Sequence, residues 1–470
     1  MEEVTTPFLD KEKLDNNGQG SSYNQDCSSS PFTFAVRLTT FVLYCGSYAA
    51  GNSIGYSSPA ASGILNDLGL TLTEYSVFVS IFIIGTICGS VWSGKTGDVL
   101  GRRCALGVAD MFCITGWLAI AFAKGALWLD VGRFLVGFGI GLCSYAGTIF
   151  LAEITPKNVR GALMSVTPLT ISCGMALFFV IGPLVNWRTL ALIGVVPYLI
   201  QLLGLVFIPE SPRWLMKVGQ DEECENALRR LRGEKADISE EKADIKDHAE
   251  CSNRNSEDGI RSLFQRKYAR CLVIGIGLVM LPQFGGGSGI SYYTSTIFRS
   301  AGLSSRFGSA AVGTTQVLTS ILGVLFIDKF GRRPLLLISA AGTFLGCLLI
   351  GQSFFLQGLN IGKELCPVLA LAGVLMYFGF YSLGLAGIPL IISSEIFPIN
   401  VKGSAGSIIN GISCTCSWVI SYTFNFMFQW NSAGTFLIFA AISGANVLFI
   451  WKMVPETKGR SLEEIQAYVN

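Results

Sequence analysis

The chain of 470 residues has almost no histidine and little charge. His248 is its single histidine, and charged residues make up 14% of the sequence, against about 25% in soluble domains. One histidine excludes histidine-rich metal sites and leaves a serine–histidine catalytic pair without support. Net charge is +2, from 34 basic and 32 acidic residues, so no basic face marks a nucleic-acid partner. There are 14 cysteines but no Cys-x-x-Cys. The nearest pair is Cys414 and Cys416, and others, such as Cys88, Cys113, Cys143 and Cys173, sit singly in apolar runs. Such cysteines behave as small hydrophobes, not as a disulfide framework or metal centre. No nucleophile–base pair and no metal cluster is legible, so neither an enzyme nor a cofactor is expected.

What the sequence has instead is apolar length. Hydrophobic residues make up 51%, and glycine accounts for 54 positions; glycine is frequent in membrane helices, where it lets backbones approach. Twelve stretches are long enough to span a bilayer: 35–57, 74–94, 105–123, 127–150, 162–185, 189–208, 270–293, 307–329, 335–356, 366–392, 404–427 and 433–453. The fold class expected is an all-α membrane protein of two six-helix halves. Its segments are a polar tail over 1–34, a first half over 35–208, and a linker with short helices over 209–269. A second half over 270–453 and a tail over 454–470 follow. The polar tail carries no signal-peptide pattern.

Basic residues give the orientation. With the tail placed in the cytoplasm and the spans alternating, 28 Lys and Arg fall on the cytoplasmic side and 5 on the other, with Arg133 inside a span. That asymmetry predicts cytoplasmic termini and a cytoplasmic linker.

The halves repeat each other. Asp98-Val-Leu-Gly101-Arg102-Arg103 returns as Asp328-Lys-Phe-Gly331-Arg332-Arg333. Glu153-Ile-Thr-Pro156 through Arg160-Gly161 returns as Glu395-Ile-Phe-Pro398 through Lys402-Gly403, and Pro209-Glu210-Ser211 as Pro455-Glu456-Thr457. Each pair follows the second, fourth or sixth helix of its half. A duplicated six-helix unit is the signature of a transporter whose halves rock about a central site. The repeated charges suit a cytoplasmic clamp: Asp98, Arg102, Arg103, Glu153 and Arg160 in one half, Asp328, Arg332, Arg333 and Glu395 in the other. Such a cluster closes the cytoplasmic side and breaks when that side opens. Anchoring by basic residues alone accounts for the arginines but not for the paired acids.

At these motifs the chain resembles the sugar-porter family of the major facilitator superfamily, across roughly 35–460. The carrying residues are Gly94-x3-Asp98-x2-Gly101-Arg102-Arg103, Glu153-x6-Arg160-Gly161, Pro209-Glu-Ser-Pro-Arg213, Asp328-x2-Gly331-Arg332-Arg333 and Pro455-Glu-Thr-Lys-Gly459. Gly55-Tyr-Ser-Ser-Pro-Ala60, Phe112-Cys-Ile-Thr-Gly-Trp-Leu-Ala119 and Ser421-Tyr-Thr-Phe-Asn-Phe426 are similar to the plant early-dehydration-responsive (ERD-like) group. The resemblance implies alternating-access transport of a monosaccharide by a monomer in the lipid bilayer. The group implies a plant endomembrane, the vacuolar one, with the plasma membrane as alternative.

The resemblance also implies a sugar site. Gln283 matches the second glutamine of a family pair whose first member is here Pro282; Gln316 matches an amide position of the eighth helix. Ser288 and Ser413 stand where the family carries longer polar side chains. Pro168 and Leu390 replace a glutamine and a tryptophan. Tyr292 and Tyr293 read as packing and gate surface, and Tyr292 joins the candidate contacts. Ser57 occupies the position where the family's proton symporters carry an aspartate. Asp110 is expected near the cytoplasmic end of its helix, paired with a basic loop residue, and Arg133 near the outer end of its helix, in a packing role. With no titratable group at Ser57 and no other mid-membrane carboxylate, facilitated diffusion is expected. Proton-coupled antiport, and a sensor or degenerate paralogue with weak transport, are the alternatives.

Overall fold

The computed structural model describes residues 33–456 apart from 157–158, 235, 255–264, 266–267 and 398; for 248–254, 328, 394 and 399–404 it describes the backbone alone. The tail over 1–32 and residues 457–470 lie outside the described residues.

A backbone in lipid must satisfy its own polar groups, so long apolar runs fold as helices. In the first half these are Phe34–Gly55 (α1), Ser57–Leu68 (α2), Leu72–Leu100 (α3), Arg102–Ala121 (α4), Ala126–Ile154 (α5), Arg160–Ile181 (α6) and Trp187–Phe207 (α7). The linker holds Pro212–Lys217 (α8), Asp221–Arg232 (α9) and Ser239–Arg254 (α10). The second half holds Ala269–Phe284 (α11), Gly287–Ser300 (α12), Ser305–Phe330 (α13), Arg332–Gly358 (α14), Leu365–Phe380 (α15), Ile388–Ile396 (α16), Ile399–Trp430 (α17) and Ser432–Met453 (α18). Local signals fix the ends. Thr71 and Glu74 form a reciprocal capping box at the start of α3, and Gly101 and Gly331, at φ 86° and 91°, make the turns into α4 and α14 that a side chain would strain.

Three of the twelve expected spans are broken, and each break has a local cause. The first span divides at Tyr56 into α1 and α2, with Pro59 in the opening turn of α2. The seventh divides at Gly285–Gly286, where Gly286 turns left-handed at φ 99°. The tenth passes through a π-turn over Tyr381–Leu385 before Pro389 opens α16. Proline lacks the N–H that would continue a helix, and the π-turn widens the helix by an i→i+5 bond from Ala386 N to the Tyr381 carbonyl at 3.0 Å. Apolar content reveals the spans but is blind to these breaks. The helices also run past several expected limits. α5, for instance, continues to Ile154, beyond the apolar run ending near 150.

The core shows how the halves meet. One buried cluster joins them at the end away from the linker. It includes Tyr56, Tyr75 and Phe178 of the first half, and Tyr293, Phe378 and Phe424 of the second. Toward the linker the cores separate. Val36, Leu106, Phe150 and Leu205 form one, and Cys271, Leu336, Ile392 and Ile409 the other. Polar contacts between the halves lie at the far end and reach mid-helix at Ser172 and Ser320. The Ser58 and Ser295 hydroxyls are 2.9 Å apart, and Asn425 Nδ2 donates to Ser76 Oγ at 2.9 Å. The halves are therefore joined at the far end and parted toward the linker.

Candidate functional site

Within the second half, the breaks in α11–α12 and α15–α16 face one cavity of about 110 Å³. Pro282, Gln283, Tyr381, Leu390, Asn410 and Ser413 are among its lining residues. The structure thus brings together two of the residues expected from sequence, Gln283 and Ser413, and adds two that sequence reading missed, Asn410 and Tyr381. Asn410 lies three residues before Ser413, so one helical turn places both on the same face of α17. That periodicity was the available signal.

Ser288 does not line the cavity; it positions what does. Its hydroxyl donates to Gln283 Oε1 at 2.7 Å and lies 2.5 Å from Ser417 Oγ. Bonding at Oε1 orients the amide and leaves its nitrogen with two protons to offer. Tyr292 is buried behind this layer, and Tyr293 stacks on Phe424 with centroids 5.1 Å apart while reaching Tyr75 across the halves at 6.3 Å. Gln316 stands elsewhere. Its Nε2 meets Met175 Sδ at 3.5 Å on α6 and its Oε1 has no partner, one turn from a Ser320–Ser172 bond. Pro168 lies close to Gly387, so the first half's proline faces the second half's break.

One charged residue differs from expectation, and a second makes a contact the sequence did not disclose. Arg133 is wholly buried. Its Nη2 donates to Ser57 Oγ at 2.7 Å, and its guanidinium lies 4.3 Å from the Phe82 ring centroid. Its Nε and Nη1 have no partner. Ser57 is thus the neutral partner of a buried cation, a role hidden in sequence because 76 residues separate the two. Asp110 pairs with no basic loop residue. It is wholly buried, eight residues into α4, and neither carboxylate oxygen has a hydrogen-bond partner. That is about 12 Å along the axis.

The repeated charges gather where α3 meets α4 and α13 meets α14. Arg102 grips Glu153 through Nε and Nη2, at 3.1 and 3.2 Å, and reaches Asp98 at 3.2 Å. Ser211 donates to Glu153 at 2.5 Å, and Lys217 of α8 pairs with Asp98 at 3.2 Å. In the second half Arg332 meets Glu395 at 3.7 Å. The Asp328 side chain lies outside the described residues. Arg103 and Arg333 bind main-chain carbonyls instead of acids, at Ile208 and Trp451. Arg160 donates to the Thr155 carbonyl at 3.4 Å and so stands apart from Glu153.

The Pro-Glu-Ser repeat has a role its sequence did not disclose. Glu210 accepts from the N–H groups of Arg102, Arg103 and Ser211 at 2.8–3.2 Å. Glu456 accepts from those of Arg332 and Arg333, each at 3.1 Å. A carboxylate at a helix start satisfies unpaired donors and the helix dipole together. Burial pushes the Glu210 carboxyl above its ordinary value, against the downward pull of the N–H bonds from Ser211, Arg103 and Arg102.

Two six-helix halves, broken helices facing a shared cavity and matched charge clusters at one end define a membrane carrier of the major facilitator fold. The chain belongs to the sugar-porter family and its ERD6-like group: the family model "Sugar (and other) transporter" matches residues 16–468. The Arabidopsis thaliana protein "Sugar transporter ERD6-like 10" is 48% identical over 445 residues, covering 95% of this chain and 97% of the relative. "Sugar transporter ERD6-like 7" of the same plant is 48% identical over 467 residues, covering 99% and 98%. Among solved structures, the inward open conformation of the xylose transporter XylE from E. coli superposes with a TM-score of 0.77 at 25% identity, over 92% of this chain and 99% of that one. XylE bound to 6-bromo-6-deoxy-D-glucose, described as a proton:xylose symporter, gives 0.74 at 24% identity, over 93% and 99%.

Proposed function

We propose that the protein carries a hexose-like monosaccharide by alternating access, as facilitated diffusion across a plant endomembrane. The observation that carries this reading is the second-half cavity holding Gln283, Asn410 and Ser413, in a protein whose two halves are joined at one end and parted at the other. A sugar hydroxyl both donates and accepts, as does an amide, and Tyr381 and Leu390 supply flat apolar surface beside them.

The linker end is the cytoplasmic end in this reading, supported by the excess of basic residues there. The halves are then parted toward the cytoplasm, and closing that side brings the two charge clusters together around the ends of α3, α5, α13 and α16. Uniport is supported by Ser57: the group facing Arg133 is a hydroxyl, which does not titrate near neutral pH. The proton-coupled alternative draws on Asp110, a carboxylate inside the bundle. The vacuolar membrane is proposed from the ERD6-like relationship, and a tagged protein confined to the plasma membrane would contradict it.

The test is transport by purified protein in sealed liposomes, with a panel of hexoses, pentoses and polyols competing against labelled glucose. Competition by a subset of monosaccharides supports the carrier. Binding without flux supports a sensor. Uphill accumulation driven by an imposed proton gradient would overturn uniport.

A further inference from the structure

The first half contains a polar pair that the sugar cavity does not use. Asp110 of α4 and Gln201 of α7 are both wholly buried. All four of their side-chain oxygen and nitrogen atoms lack a hydrogen-bond partner. Both stand beside Cys143 of α5: its thiol lies within electrostatic reach of Asp110 and close to Gln201, without a bond of hydrogen-bonding geometry. Gly46 of α1 packs against Gln201, since a Cβ there would collide with its amide.

Among the described residues, the titratable groups within electrostatic reach of Asp110 are weak acids, with no cation among them. They are Cys45 of α1, Cys113 of α4 itself and Cys143 of α5, with Tyr198 of α7 beyond Cys113. Among the described residues, Asp110 forms no ion pair. An ionised carboxylate without a counter-charge is costly in such an interior, so this packing accommodates the neutral carboxyl. Protonated, the group can donate as well as accept, which matches an amide that does both.

We propose that Asp110, with Gln201 beside it, is a proton-binding site that exchanges with water as the halves reorient and so makes the rate of transport depend on pH. The proposal rests on the alternating-access reading. It does not require proton-driven accumulation, because a proton that binds and leaves on the same side changes the rate and not the direction of sugar movement.

The experiment is equilibrium exchange of labelled sugar in liposomes at matched internal and external pH, where no proton gradient exists. Unmodified protein is expected to exchange at a rate that varies with pH. Asp110→Glu is expected to keep the variation, and Asp110→Asn to lose it while still exchanging. Identical pH profiles for unmodified protein and Asp110→Asn would overturn the proposal, as would a flat profile in the unmodified protein. Infrared spectra of the purified protein give a readout independent of flux: the carbonyl band of a protonated acid should be present in unmodified protein and lost in Asp110→Asn. Persistence of the full band in that variant would also overturn the site. Failure of the uniport reading registers separately, as uphill accumulation under an imposed gradient.

Discussion

In the first half Arg102 holds Glu153 with two nitrogens, at 3.1 and 3.2 Å, and Ser211 adds a bond at 2.5 Å. In the second half Arg332 reaches Glu395 at 3.7 Å, and Glu395 Oε2 is buried without a partner. The two clusters come from one repeated motif, and their difference comes from what lies next to it. The linker supplies Ser211 and Lys217 to the first cluster, so α8 is stitched to the ends of α3 and α5. A repeat in sequence therefore fixes which residues meet, and their neighbours decide how firmly.

The interior divides the same way. Gln283, Asn410 and Ser413, the polar groups lining the cavity, all belong to the second half. In this state the first half buries its polar groups: Arg133 on Ser57, and Asp110 and Gln201 without hydrogen-bond partners. One half lines a cavity with polar groups, while the other buries them in its interior.

The clusters give the largest expected contrast. Glu153→Gln leaves Arg102 with Asp98 as its acid and removes two charge-assisted bonds, which should cost about 2 kcal/mol, whereas Glu395→Gln loosens a partly exposed contact and should cost about 1 kcal/mol or less. Thermal unfolding in detergent measures both, and equal losses would erase the asymmetry. Each pair joins residues of one half and stands intact while the halves are parted at that end, so the pairs do not break on opening as the sequence suggested, and cysteine-probe access from each side should change little in either variant.

The cavity comes next. Gln283→Ala should weaken apparent sugar affinity by up to about tenfold, the worth of one good hydrogen bond. Asn410→Ala should do the same, while Gln316→Ala, on the interface between halves, should change turnover more than affinity. Full activity in Gln283→Ala would remove the best contact.

Ser57→Asp sharpens the comparison further. The new carboxylate would lie against Arg133, whose Nη2 now donates to Ser57 at 2.7 Å. The pH profile of flux should gain a second transition beyond the one set by Asp110, moved to higher pH by adding Arg133→Gln. Absence of any change would mean that this buried pair is outside the transport cycle.

The smallest effect concerns Glu210. Its carboxyl is raised by burial, so its contribution to stability is present below the ordinary carboxylate value and is lost as pH rises through the raised one. Melting temperature should therefore fall slightly as pH rises through that window, and Glu210→Gln should flatten the slope.

Much of this architecture was legible because bilayer thickness demands long apolar runs and duplication leaves repeated motifs. Asp98, Arg102 and Glu153 could be named as one cluster from their positions at helix ends alone. The breaks at Tyr56, Gly286 and Tyr381 were not legible, since composition averages over single turns. Nor were the Arg133–Ser57 contact, the isolation of Asp110, or Glu210 as a helix cap. Each depends on helices brought together by packing, and in an apolar sequence almost every face can be a contact face. Asn410 was within reach, one turn from Ser413, but its position follows from helix phase and not from motif.

The most direct measurement is sugar counterflow in sealed liposomes, with unmodified protein and Gln283→Ala compared at matched pH. A monosaccharide carrier whose solute rests on the second half should concentrate label transiently against unlabelled internal sugar, and Gln283→Ala should need more sugar for the same rate. No counterflow with any monosaccharide, or indistinguishable concentration dependence in the two proteins, would contradict the account.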